Sequence, residues 1–86
     1  MPEISRFYGI VIKMFFNDHP PPHFHASYGE HDALIDIESG NVLQGYLPNT
    51  ALNLVQEWRA QHVKELRQAW DSARKPEALR KIAPLM

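Results

Sequence analysis

Along this chain the apolar residues change their spacing once, at Leu47: they alternate by two before it and recur by three and four after it. Alternation sets successive side chains on opposite faces of a strand, whereas the longer spacing sets them along one side of a helix. A chain that switches once builds a sheet from its first half and a helix from its second, and buries both apolar surfaces by laying one on the other. With 86 residues there is length for one core only. The expected fold is α+β: an antiparallel meander of about four strands packed against one long or two shorter C-terminal helices. It forms a single domain over residues 1–86.

Ile4 to Phe16 is β-branched and aromatic and reads as one long, two-sided strand. Ile4, Tyr8, Ile10, Ile12, Met14 and Phe16 share one face, with Phe7, Val11 and Phe15 on the other. Three consecutive prolines, Pro20 to Pro22, then break the strand and call for an extended, polyproline-like segment. His23 to Tyr28 alternates again, and Gly29-Glu30 makes a two-residue turn into His31 to Ile37. Counting back from that turn pairs Tyr28 with His31, Ala26 with Ala33, Phe24 with Ile35 and His23 with Asp36. This register gathers Phe24, Ala26, Ala33, Ile35 and Ile37 on the apolar face and leaves His23, His25, Asp32 and Asp36 on the other. A three-residue loop of Ser39, Gly40 and Asn41 leads into Val42 to Leu47 and sets Leu43 opposite Ile37 on the core side.

Pro48 with Asn49 or Thr50 reads as a helix cap. Ala51, Val55, Trp58, His62, Leu66, Ala69 and Ala73 then fall within about 80° of arc, and Leu52, Val63 and Trp70 widen the stripe. This is one amphipathic helix, or two with a bend that no Gly or Pro marks. Lys75-Pro76 ends it, and in the tail from Leu79 to Met86 the residues Ile82 and Leu85 are the ones to dock on the sheet or helix.

At 44% hydrophobic and 22% charged residues the chain is too apolar for disorder. A formal charge of -1 argues against holding nucleic acid by bulk positive charge, so phosphate contacts are left to a local basic stripe. The chain has no cysteine, which excludes disulfides, thiolate ligands and thiol nucleophiles and leaves His, Asp and Glu as the strong metal ligands. Lack of cysteine fits the cytoplasm, the expected localisation. The longest apolar stretch, Ile10 to Phe16, is interrupted by Lys13 and falls well short of the roughly 20 residues that span a bilayer. Neither a transmembrane segment nor a signal peptide is expected.

The chemistry-bearing residues concentrate in Asn17-Asp18-His19-Pro20-Pro21-Pro22-His23-Phe24-His25-Ala26. Imidazole titrates near neutrality and is the commonest metal-binding side chain, so three such rings beside prolines point to proton transfer, metal binding or phosphate chemistry. His23 and His25 on one strand, Asp36 opposite and His19 in the preceding loop make a ligand set for a divalent metal ion, with positions open for water or substrate. The same four residues, His19, His23, His25 and Asp36, are the candidate catalytic groups for metal-free acid–base cleavage of a phosphodiester. The bland alternative is a histidine pair that caps a strand end and hydrogen bonds to Asp36. Positive charge for a phosphate would come from Arg6, Lys13, Arg59 and Arg67, against the alternative of a salt-bridged, solvated helix face. His62 lies in the apolar stripe as a hydrogen-bonded core histidine, and Trp58 and Trp70 read as packing.

Met1-Pro2-Glu3-Ile4-Ser5-Arg6-Phe7-Tyr8-Gly9-Ile10, Asn17-Asp18-His19 and Pro21-Pro22-His23-Phe24-His25-Ala26 resemble the small bacterial domain-of-unknown-function 4160 family. The likeness continues through Tyr28-Gly29-Glu30, Leu47-Pro48, Glu57-Trp58 and Lys81-Ile82-Ala83-Pro84-Leu85. It implies a gene neighbourhood in which a second small protein is encoded alongside, as in proposed toxin–antitoxin pairs. The leading expectation is a toxin-like component of such a two-protein module, acting on RNA through the histidine cluster with ribonuclease-like activity and forming a homo-oligomer or a pair with its neighbour. The alternatives are a metal-binding domain using His and Asp ligands and a non-catalytic interaction or regulatory module.

Overall fold

The computed structural model describes residues 3–74 and 80–86. Five strands, β1 (Glu3–Phe7), β2 (Ile10–Lys13), β3 (His23–Tyr28), β4 (His31–Asp36) and β5 (Val42–Gly45), precede one helix, α1 (Asn49–Ser72). The strands form a single antiparallel meander in the order β1-β2-β3-β4-β5. The α+β class is as expected, with one strand more than anticipated.

The extra strand arises because Ile4 to Phe16 is a hairpin and not one long strand. Tyr8 and Gly9 both have positive φ, 49° and 80°, the pairing a two-residue turn needs for its twist to match the flanking strands. Phe7 therefore faces Ile10 directly, and the two share a side of the sheet that a continuous strand would have denied them. Phe7 is buried, and Tyr8, read as sharing a face with Ile4 and Ile10, is 59% exposed. Phe16, placed on that same face, also stands exposed.

The hairpin of β3 and β4 has the anticipated register throughout, from Tyr28↔His31 to His23↔Asp36. Phe24, Ala26, Ala33, Ile35 and Ile37 are all buried. The next connection departs from expectation. Ile35 pairs with Val42 and Leu34 with Gln44, so Leu43 is the extra residue of a bulge and stands exposed instead of opposite Ile37. Gly45, at φ +86°, closes this edge where a Cβ would collide with the Asp32 carbonyl oxygen.

Helix α1 buries Ala51, Val55, Trp58, Leu66, Ala69 and Trp70 against the sheet. Pro48 stands at its N-cap without a side-chain cap bond, so neither Asn49 nor Thr50 serves as the cap. His62, at φ -128° and ψ 22°, bends the helix midway. The expected stop at Lys75-Pro76 lies outside the described residues. The tail docks as anticipated: Ile82 and Leu85 are buried, the Ile82 amide donates to the Ile4 carbonyl at 2.7 Å, and Trp58 Nε1 donates to the Ala83 carbonyl at 2.8 Å. No helix among the described residues is long and apolar enough to cross a membrane.

Candidate metal centre

β3 begins immediately after the prolines, and its first and third residues, His23 and His25, project to the face opposite Phe24 by the period of a strand. The preceding segment is not the extended run expected of three prolines. Asn17 adopts φ 55°, a left-handed conformation that Asn tolerates better than most residues, and the Pro20-Pro21 peptide is cis. The Asn17 amide donates to the Ala73 carbonyl at 2.7 Å, tying the segment to the end of the helix. Asp18 is thereby held over β3.

Its carboxylate is the centre of the site. Oδ1 accepts the His19 amide at 2.8 Å, while Oδ2 lies 3.0 Å from His23 Nε2 and 3.1 Å from His25 Nε2. Burial works to raise the Asp18 pKa, but the hydrogen bonds from His25 and the His19 amide, together with the charge and hydrogen bond of His23, outweigh it. The carboxyl is held below its ordinary value.

The His23 ring fixes the chemistry further. Nδ1 lies 2.8 Å from the Pro21 carbonyl, and a carbonyl oxygen only accepts, so Nδ1 carries the proton. In the neutral ring Nε2 then presents a lone pair to a carboxylate oxygen, a repulsive arrangement unless a positive species lies between them. That species is a second proton, giving imidazolium, or a metal ion. The ring has no freedom to turn away: it is 5% exposed and packs against Trp70 at a centroid distance of 5.2 Å. His25 is braced by the edge of Phe15 at 4.5 Å.

One ligand atom each from Asp18, His23 and His25 lies within 4.8 Å of the others. Two ligand atoms about 2.1 Å from one ion and at right angles are themselves about 3.0 Å apart. The observed nitrogen–oxygen separations therefore fit a shared ion with little movement. A carbonyl holding the distal nitrogen of a metal-binding histidine is the usual outer support of such a ligand.

The structure brings together only part of the anticipated constellation. Asp36 is the cross-strand partner of His23 as expected, but its Oδ1 accepts the amides of Glu38 and Ser39 at 2.8 and 2.9 Å. It caps its own loop and stands outside the cluster, where Asp18 takes its place. His19 is exposed and contributes its backbone amide to Asp18. Asp32 accepts from Ser27. His62 is the hydrogen-bonded histidine anticipated, 2.6 Å from Glu65 Oε1 and packed on Trp58.

Of the four cations expected to meet phosphate, Arg6 forks onto Glu3 at 2.8 and 3.2 Å and Arg67 onto Glu38 at 2.5 Å through both nitrogens. Arg59 donates to the Ile37 carbonyl at 2.9 Å and to Gln56. Lys13 is the cross-strand neighbour of His25. The residue that sequence reasoning missed is Asp18. Its signal was position: an acid beside an Asn able to turn the chain, ahead of prolines that keep the segment from continuing the strand.

A family model described as a domain of unknown function (DUF4160) matches residues 9–71 of the chain. No curated protein and no solved structure matches it.

Proposed function

The chain belongs to that family, and we propose from the geometry of its histidine cluster that it is a metal-binding domain in which Asp18, His23 and His25 hold one divalent ion. The observation that carries this reading is the commitment of His23 Nδ1 to the Pro21 carbonyl, which aims the opposite nitrogen at Asp18 Oδ2. Two imidazoles and one carboxylate suit first-row divalent ions and leave coordination positions open. Such an ion supplies Lewis acidity and lowers the pKa of a bound water. The chain's own parts divide the work. His23, buried under Trp70, is the rigid anchor, while His25 and Asp18 stand at the solvent side with 24% and 21% of their side chains exposed.

Metal analysis of protein purified without a histidine tag tests the reading. About one equivalent of zinc, iron, nickel or manganese is expected, with a raised melting temperature on addition, since an ion at a hundredfold excess over its Kd stabilises by about 2.7 kcal/mol. Both effects are expected to vanish in His23→Ala and His25→Ala. Substoichiometric metal with no thermal shift in the wild type would end the proposal.

The register of Lys13 beside His25 favours a second reading, cleavage of RNA by a toxin-like component whose partner is encoded nearby. An imidazole next to a cation is what acid–base phosphodiester cleavage asks for. With Arg6, Arg59 and Arg67 engaged elsewhere, Lys13 would meet the phosphate. RNA cleavage that persists in chelator and is lost in His25→Ala would put this reading first. Intact RNA and normal growth on expression would remove it.

A further inference from the structure

Lys13 and Phe15 flank the exposed side of the Asp18, His23 and His25 cluster. As the direct cross-strand partner of His25, Lys13 leaves the sheet on the same face, with Cβ atoms about 4.5–5.5 Å apart. Phe15 lies edge-on against the same imidazole at 4.5 Å. A molecule approaching the solvent side of His25 and Asp18 therefore meets an apolar ring, with the lysine side chain rising from the neighbouring strand position.

Alongside the Arg6 hydrogen bond, the charge of Lys13 also acts on Glu3 and helps to hold that carboxyl below its ordinary value. On its other side Lys13 pairs in register with Glu3, but both Glu3 carboxylate oxygens are taken by the Arg6 guanidinium. Among the described residues no ion pair holds Lys13. A divalent ion bound by two neutral imidazoles and one carboxylate keeps a net positive charge, so the ion and Lys13 present two positive centres to one opening. A neutral ligand satisfies one of them at most, whereas an oxyanion with two oxygens satisfies both.

We propose that Lys13 forms an oxyanion subsite beside the metal centre, binding a carboxylate or phosphate group that places one oxygen on the ammonium and another in an open coordination position. This rests on the metal-binding reading and goes beyond it by naming the ligand class. Phe15 walls the subsite with apolar surface, which strengthens both charge interactions by excluding water.

The test uses the full chain loaded with cobalt(II), titrated in separate arms with oxalate and with inorganic phosphate and read by the visible absorption of the metal. A saturable spectral change is expected with at least one anion, and which one responds distinguishes carboxylate from phosphate recognition. Lys13→Ala should still take up one equivalent of cobalt, no more weakly than the wild type because a neighbouring positive charge is removed, and weaken the anion roughly tenfold, the loss of one charge-assisted hydrogen bond, with Lys13→Arg largely restoring it. Equal anion affinity in the wild type and Lys13→Ala overturns the subsite, as does no response to either anion. Failure of the metal reading is seen earlier and separately, as a chain that takes up no cobalt, and it overturns the subsite with it.

Discussion

Replacing Asp18 by asparagine isolates the charge on which the site converges. The substitution keeps the size of the side chain and one carbonyl oxygen but removes the anion 3.0 and 3.1 Å from the two histidine nitrogens. In the wild type the Asp18 carboxyl is held below its ordinary value because hydrogen bonds from His25, the His19 amide and His23 outweigh the opposing effect of burial. A carboxyl whose folded pKa lies below the unfolded one, about 3.9, contributes its full stability above that pH and loses it as pH falls through the folded value. Hydrogen bonds to charged groups contribute about 1.5–3 kcal/mol. With the carboxylate 21% exposed, the middle of that range is apt: Asp18→Asn should cost about 2 kcal/mol near pH 6. For a domain of this size that is a fall of about 8–16 °C in melting temperature. Thermal unfolding followed by circular dichroism, in chelator to exclude metal, should show the gap between the two proteins narrowing as the pH falls through the unfolded carboxyl value and closing once it is below the lowered folded one. A gap that stays constant across that range would mean the carboxylate charge does not organise the histidines, and the reasoning would fail.

Other consequences are local. Tyr8→Asn should stabilise the chain by about 0.5–1 kcal/mol, since an exposed tyrosine at φ 49° occupies a turn position that Asn fills with less strain; equilibrium denaturation measures it. Gly45→Ala should destabilise by about 2 kcal/mol or more, because the positive φ and the collision with the Asp32 carbonyl add, and an unchanged urea midpoint would contradict this. Trp58→Phe removes the donor to the Ala83 carbonyl and should cost about 1–3 kcal/mol, with faster hydrogen exchange at the Ile82 amide as the specific sign that the tail has loosened.

How much of the site was legible follows from how each residue is placed. His23 and His25 were readable because a strand's period and a two-residue turn set their face and register with no help from the rest of the chain. Asp36 was read into the site by the same logic and was rightly paired with His23. Yet a pair in register shares a face without being bound to share a ligand, and the two loop amides of Glu38 and Ser39 claim its carboxylate. Asp18 could not be found by periodicity, since it lies in an irregular segment anchored to Ala73 at the far end of the helix. The split of Ile4 to Phe16 into two strands was hidden for a different reason. Its residues suit one long strand as well as two short ones, and the turn at Tyr8-Gly9 carries only a single glycine to mark it.

By itself the order of residues determined the α+β class, the central hairpin and its register, the buried stripe of α1 and the docking of Ile82 and Leu85, because each depends on a local period or on apolar surface with one place to go. Only the tertiary structure decided that Asp18 meets His23 and His25, that Arg6, Arg59 and Arg67 are engaged, and that Lys13 is left beside the cluster. Those outcomes depend on side chains brought together from separate elements, and spacing along the chain carries no information about which of several nearby partners a polar group will take.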